Sequence, residues 1–325
     1  MIPREETVTG MVECTAQEAA ALLAGQDDIL LLTHQNPDGD TLGSAFALWN
    51  ALDALGKRVR VECPDELPER FDYLYQGYHA AEFEPQFITA VDVASPQLLG
   101  ELREAYEDRV DLCIDHHPSN MRYAKRLCLR GKAGAACEIL WDVIGALGAR
   151  ITPQIATCLY TGIATDTGCF KFSNTTADTH RIAAELFGLG AVHEFINEYL
   201  FDTKSKARIA IECKALAAAE FYYEGRVAVI GDSQELIRES GVDESELDGI
   251  TALPRSIEGV DIGITLREKP DGSQKISIRT TAAADASKLC ARFGGGGHAR
   301  AAGCQLECGY AEAKEKLLAS CREFL

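Results

Sequence analysis

Four separate segments of the chain carry residue types that bind divalent cations or move protons. THQNPDGD holds His34, Asp38 and Asp40; FITAVDVAS holds Asp92; VDLCIDHHPSN holds Asp115, His116 and His117; and TCLYTGIATDTGCFKFSNTT holds Asp166. Carboxylate oxygens with a few imidazole nitrogens and no thiolate suit manganese or magnesium better than structural zinc. Two aspartates two apart in a loop can point to different sides and serve different ions, with His34 adding a nitrogen ligand. A pair of such ions suits hydrolysis of phosphate esters, because it shares a hydroxide and neutralises charge on phosphorus. Each segment alone has a plainer explanation. Asp40 would be a helix N-cap, Asp38 a Pro-Asp-Gly turn residue, Asp92 a strand-end cap and Asp166 a helix-end turn ahead of Asn174, Thr175 and Thr176. Those explanations do not account for the coincidence that each group begins where an apolar run stops.

The elements that must position these residues alternate through the first two thirds of the chain. Apolar runs predict strands near 29–33, 59–63, 87–91 and 110–114, and helical spacing predicts helices near 41–55, 96–107, 133–147 and 177–189. Several strands are apolar on both faces, which predicts an α/β fold with a mostly parallel sheet covered by helices. Ligand groups then belong beyond the strand carboxyl ends. We divide the chain into a first domain at 1–195, a helical linker at 196–219 rich in Lys, Ala and Glu, and a smaller α/β domain at 220–325. Strand patterns resume there at RVAVI, DIGITL and KISIRT, followed by helical stretches near 285–292 and 310–323.

Composition narrows the chemistry further. With 46% apolar and 25% charged residues, the chain reads as globular rather than disordered or membrane-spanning. The charged opening MIPREETVTG argues against an export signal, and twelve cysteines without a C-x-x-C pair suit reduced thiols, so a cytoplasmic location is expected. A net charge of −18 repels long polyanions and favours small or short anionic substrates. Part of that charge is what a carboxylate cage for cations requires.

Taken together, HQNPDGD, VDVAS, DHH and TDTG occur in the order of the four motifs of the DHH phosphoesterases, and FGGGGHARAAG at 293–303 resembles the signature of their DHHA1 carboxyl-terminal domain. The resemblance covers nearly the whole chain and is greatest for the subgroup of bifunctional oligoribonucleases that also dephosphorylate 3′,5′-bisphosphate nucleotides. It implies that His34, Asp38 and Asp92 bind one manganese ion, and that Asp40, Asp92, His116 and Asp166 bind a second, with magnesium as the other candidate metal. Asp92 would bridge the two, and His117 would act beside the reacting phosphate, making Asp92 and His117 the catalytic pair. Asp115 would orient its neighbours. In the second domain, Gly295, Gly296, Gly297 and His298 would hold substrate phosphate, helped by Arg255 and Arg279. Four glycines let backbone N–H groups approach an anion, and a helix is expected after them to offer its positive end.

The expected activity is therefore manganese-dependent removal of mononucleotides from very short RNAs and dephosphorylation of 3′-phosphoadenosine 5′-phosphate. Hydrolysis of cyclic dinucleotides or of pApA is the alternative within the family, and an inactive nucleotide-binding sensor the alternative outside it. Long duplex nucleic acid and membranes are not expected partners; a homodimer is compatible with the sequence.

Overall fold

Short apolar runs become strands here because both of their faces are covered. Six strands, β1 (Val12–Glu13), β2 (Ile29–Leu32), β3 (Val59–Glu62), β4 (Phe87–Val91), β5 (Leu112–Asp115) and β6 (Arg126–Leu129), form one sheet in the order β1-β6-β5-β4-β2-β3, with β2, β4 and β5 buried along their whole length and the edge strand β1 exposed. Every neighbouring pair is parallel. The computed structural model describes residues 11–325; the charged segment 1–10, read above against export, lies outside them. Ile29, Leu31, Val91 and Ile114 point into one core, and Leu30, Leu32, Ile88 and Cys113 into another on the opposite face. The first core is completed by the helices α1 (Ala16–Ala24), α2 (Gly39–Ala54), α4 (Ala136–Ala146), α5 (Pro153–Asp166) and α6 (Ala177–Gly188) and by Ile196 of the short α7 (His193–Asn197), with the short α3 (Arg103–Tyr106) elsewhere in the unit.

The expected helix over 96–107 is instead a tight 3₁₀ run, Pro96–Leu102, ending in α3. Gly100 breaks it at φ 52°, where a Cβ would approach the Pro64 side chain to 3.0 Å. A side chain in that left-handed conformation would be strained as well as crowded.

The chain forms two compact units, the first reaching to Thr203 and the second spanning Lys204–Leu325. The segment expected as a linker is divided between them: α7 and a π-turn at Glu198–Asp202 end the first, and α8 (Lys206–Ala217) begins the second. Ile211 and Ala215 of α8 are buried against Ile230, Leu247 and Ile250. The second unit holds β7 (Glu220–Tyr222), β8 (Val227–Asp232), β9 (Ile262–Glu268), β10 (Gln274–Thr280), β11 (Gly296–His298) and β12 (Ala301–Leu306), in the order β11-β12-β10-β9-β8-β7. Only β8 and β9 run parallel, so this sheet is mixed. Helices α9 (Gln234–Ser240), α10 (Ala286–Ala291) and α11 (Tyr310–Cys321) complete it. No helix among the described residues is long and apolar enough to cross a membrane.

Candidate metal centre

The order of the first sheet reverses between β2 and β4, since β3 lies on one side of β2 and β4, β5 and β6 follow on the other, and an open α/β sheet binds its ligands beyond the carboxyl ends at such a point. His34 follows β2, Asp92 follows β4, and Asp115-His116-His117 closes β5, so three adjacent strands deliver their polar ends to one edge. Asp92 turns into this edge with φ 59°, a left-handed conformation that Asp tolerates better than most residues, while its N–H donates to the Ile114 carbonyl.

Helix α2 starts at the same place. Asp38 is its N-cap, its Oδ1 accepting from the N–H of Asp40 and Thr41 at 2.9 and 3.1 Å, so the cap is Asp38 and not Asp40. Asp40 lies one residue inside the helix, fully buried, with Oδ2 accepting from Ala136 N–H at 2.6 Å and Oδ1 from Cys137 N–H at 3.0 Å. These are the first amides of α4, whose positive end favours a carboxylate. Asp166, the last residue of α5, reaches the cluster because α2 and α5 touch at glycines. A Cβ on Gly162 would stand 2.3 Å from the Cys137 sulfur and 2.6 Å from Asp40 Oδ1, and one on Gly43 would stand 2.5 Å from the Cys158 carbonyl.

The distances gather all six predicted ligands. His34 Nε2 lies 3.6 Å from Asp38 Oδ1 and 3.7 Å from Asp92 Oδ2. His116 Nε2 lies 3.2 Å from Asp166 Oδ2, 3.6 Å from Asp92 Oδ1 and 3.8 Å from Asp40 Oδ2. Three groups of ligand atoms, each within 4.8 Å of one another, result: His34, Asp38 and Asp92; Asp40, His116 and Asp166; and Asp92, His116 and His117. Asp92 and His116 each belong to two. Both histidines are oriented by backbone carbonyls: Nδ1 of His34 meets Gln35 O at 2.8 Å, and Nδ1 of His116 meets Ala133 O at 3.1 Å. A carbonyl only accepts, so Nδ1 carries hydrogen and Nε2 faces the cluster.

The cluster is built for positive charge. Asp92 Oδ1 and His116 Nε2 are buried without a hydrogen-bond partner, an expense that a protein normally avoids unless a ligand satisfies the atoms. Burial and the nearby carboxylates drive Asp40 well above the ordinary carboxylate range. Burial likewise pushes Asp92 up to about 6. Burial alone would lower the two imidazoles, but the facing carboxylates reverse this and raise His34 to about 11 and His116 to about 10. Without cations, protons therefore fill the cage. Mostly hard oxygen donors with two imidazole nitrogens fit manganese or magnesium.

His117 is half-buried beside this cluster. Its Nδ1 meets Asp115 Oδ1 at 2.8 Å, and Asp115 also accepts from the N–H of His116 and of His117. The other oxygen of Asp115 accepts from Asn120 Nδ2 at 2.6 Å. Burial raises Asp115, but these donors, His117 foremost, hold it below the usual carboxylate range. Asn120 and the buried Glu138 were not singled out from sequence. A carboxylate inside the apolar run AACEILWDVI was the available signal for Glu138; nothing distinguished Asn120 from an ordinary turn residue.

The residues expected to hold substrate phosphate gather in the second unit. Arg279 of β10 pairs with Ala301 of β12, which pairs with His298 of β11, and on its other side Arg279 pairs with Gly263 of β9. A Cβ on Gly263 would stand 2.5 Å from the backbone nitrogen of Arg255. Arg279 and His298 thus lie along one row across the sheet, and Arg255, on a 3₁₀ turn at Pro254–Ser256, packs over Gly263 in that row. Gly296 and Gly297 precede His298 on the exposed edge strand, and Gly295 packs against the Gly303 carbonyl. The helix expected after the glycines does not form. A hairpin takes its place, with Ala299 and Arg300 at its tip and Arg300 donating to the carbonyls of Thr281 and Ala284, so the loop offers strand amides and no helix terminus.

Residues 28–163 match the DHH family, N-terminal domain, and residues 227–325 match the DHHA1 domain. The bifunctional oligoribonuclease and PAP phosphatase NrnA of Thermus thermophilus is 33% identical over 94% of this chain and 93% of its own. The cyclic-di-AMP phosphodiesterase GdpP of Geobacillus thermodenitrificans is 23% identical over 94% of this chain, which spans 48% of that larger protein. Among solved structures, an exopolyphosphatase-related protein from Bacteroides fragilis superposes with a TM-score of 0.87 at 23% identity, covering 95% of this chain and 96% of the other, and shows the same fold. The matched domains, the full-length relative and the acid–histidine cluster at the switch point agree: this chain is a phosphoric ester hydrolase and belongs to the DHH family, with a DHHA1 domain in its carboxyl-terminal part.

Proposed function

We propose that the protein is a manganese-dependent phosphoesterase that degrades very short oligoribonucleotides to mononucleotides and removes phosphate from 3′-phosphoadenosine 5′-phosphate. The observation that carries this reading is Asp92, whose two oxygens face His34 on one side and His116 on the other, in a cage where Asp92 Oδ1 and His116 Nε2 are buried without partners. The similarity to NrnA along nearly the full length of both chains supports the substrate class. We assign His34, Asp38 and Asp92 to one cation and Asp40, Asp92, His116 and Asp166 to the other. Two divalent cations bound there supply Lewis-acid charge and a hydroxide nucleophile.

The chain's own groups do the rest. Asp92 holds the two ligand sets in register. Asp40 is anchored by the amides of α4, so it does not swing as charge develops. Asp115 accepts from the Nδ1–H of His117, which leaves Nε2 as the nitrogen that would pass a proton to the leaving oxygen. Arg255, Arg279, His298 and the glycine segment Gly295, Gly296 and Gly297 hold substrate phosphate, with the Gly295 amide itself spent on the Cys290 carbonyl. The surplus of negative charge disfavours long polyanions, and twelve unpaired cysteines support a cytoplasmic setting.

The similarity to GdpP favours one second reading, hydrolysis of cyclic dinucleotides or their linear product pApA at the same centre. Manganese-loaded protein assayed on pAp, pApA, cyclic di-AMP and RNAs of two, five and twenty nucleotides at equal end concentration tests both. Rates falling with RNA length, with pAp hydrolysed, are expected. Equal or faster cleavage of the longest RNA overturns the short-substrate reading, and turnover confined to cyclic di-AMP and pApA selects the second.

A further inference from the structure

We propose that Glu138 is a positioning residue that sets one of the two cation subsites, the one built from Asp40, His116 and Asp166, and leaves the other untouched; this rests on the two-cation reading above. Glu138 is the third residue of α4 and 2% exposed, yet it is neither a ligand nor paired with a base. Its Oε1 accepts two hydrogen bonds, from Gly134 N–H at 3.1 Å and from Thr179 Oγ1 at 2.6 Å. Thr179 belongs to the first turn of α6 and is itself held, since its Oγ1 accepts from Thr176 N–H at 3.0 Å. The carboxylate therefore ties the peptide at Gly134 to a fixed helix start.

Gly134 is gripped from its other end as well. Asn174 Nδ2 donates to the Gly134 carbonyl at 3.0 Å and to the Asp166 carbonyl at 3.1 Å. A Cβ at Gly134 would stand 2.9 Å from Glu138 Oε1, which leaves no room for the loop to shift inward. The residues on either side of this clamped peptide are the ones that orient ligands. Ala133 supplies the carbonyl that meets His116 Nδ1, and Ala136 and Cys137 supply the amides that hold both oxygens of Asp40. Asp166 is tied in through Asn174. One buried carboxylate thus governs the placement of three ligands of one set. The set of His34, Asp38 and Asp92 takes its orientation from Gln35 O and the α2 cap, which lie outside this clamp.

Groups that orient ligands typically change metal affinity by about 10–100-fold when removed. Manganese titration of stripped protein, following free Mn²⁺ by electron paramagnetic resonance, reads each site directly. The parent should bind two ions; if it binds fewer, the two-cation reading itself fails. Glu138→Ala should weaken one ion by at least tenfold and leave the other within about twofold. Adding Asp38→Asn to that variant should remove the remaining ion. Glu138→Gln keeps a carbonyl oxygen for both donors and should bind within about threefold of the parent, which separates geometry from charge. Should Glu138→Ala fail to fold, Asn174→Ala must show the same one-site loss. Two ions bound at parent affinity in the folded Ala variant, equal weakening of both, parent affinities in Asn174→Ala, or a Gln variant as weak as Ala would each overturn the assignment.

Discussion

Asp92→Asn is the substitution on which the most depends. The change keeps the shape of the side chain and alters one charge at a position only 2% exposed. Asp92 faces His116 at 3.6 Å and His34 at 3.7 Å, and at an effective dielectric of about 20 its charge is worth about 4 kcal/mol to a unit of positive charge about 4 Å away. With roughly 1.4 kcal/mol per decade of rate, losing that charge from the centre of both ligand sets should lower kcat/KM by roughly 10³-fold or more. No other single ligand belongs to both assigned sets, so no other single ligand change should cost as much. The near-isosteric amide should leave the fold in place, with the circular dichroism spectrum and the melting cooperativity of the parent. The assay is pAp hydrolysis at saturating manganese beside a panel of Asp38→Asn, Asp40→Asn and Asp166→Asn. Activity of Asp92→Asn within tenfold of the parent, or a larger loss in any of the other three, would remove Asp92 from the centre of the mechanism.

Manganese affinity should rise with pH between about 6 and 9, because both imidazoles bind protons that the metal displaces. His34 and His116 sit at about 11 and about 10 in the stripped protein, above the unfolded value of about 6.5. Their stabilisation of the stripped fold is therefore complete below about 6.5 and is lost as pH rises through those values. Calorimetry in buffers of different ionisation enthalpy should detect proton release on binding, and a pH-independent affinity would refute the caged-proton picture. Arg279→Ala and His298→Ala should severely impair hydrolysis of pAp and dinucleotides while manganese binding stays at the parent level, with a small generic diester affected less; undiminished dinucleotide cleavage in both would remove the basic row from substrate binding. Gly162→Ala should destabilise the first unit by about 1–3 kcal/mol, since the new methyl meets the Cys137 sulfur at 2.3 Å and Asp40 Oδ1 at 2.6 Å. An unchanged melting temperature would show that α2 and α5 have slack at this contact.

How much of this was legible before folding differs element by element. The strands at 29–32 and 87–91 were plain in the sequence because a buried parallel strand needs apolar residues on both faces, and the edge strand at 59–62 because valine alternates there with Arg60 and Glu62; both patterns are local. The six acid and imidazole positions were legible for a related reason: each follows an apolar run, and the end of a strand is where a parallel sheet can place a ligand group. Two-residue β1, edge strand β7 and the glycine hairpin β11–β12 carry no such pattern. Gly296 and Gly297 have no side chains to show periodicity, and only pairing with Gly303 and Ala302 makes them a strand. Likewise, nothing local in Asp38 and Asp40 says which one caps α2. That was decided by the amides of Ala136 and Cys137, nearly a hundred residues away, which capture Asp40 and leave Asp38 to the helix end. Glu138 and Asn120 tell the same story, because a buried polar side chain acquires a role from the distant groups it satisfies. Sequence by itself determined which residues could do chemistry and which strands would carry them; tertiary structure alone decided which carbonyl, amide or carboxylate holds each one still, since hydrogen-bond partners are chosen by proximity in space.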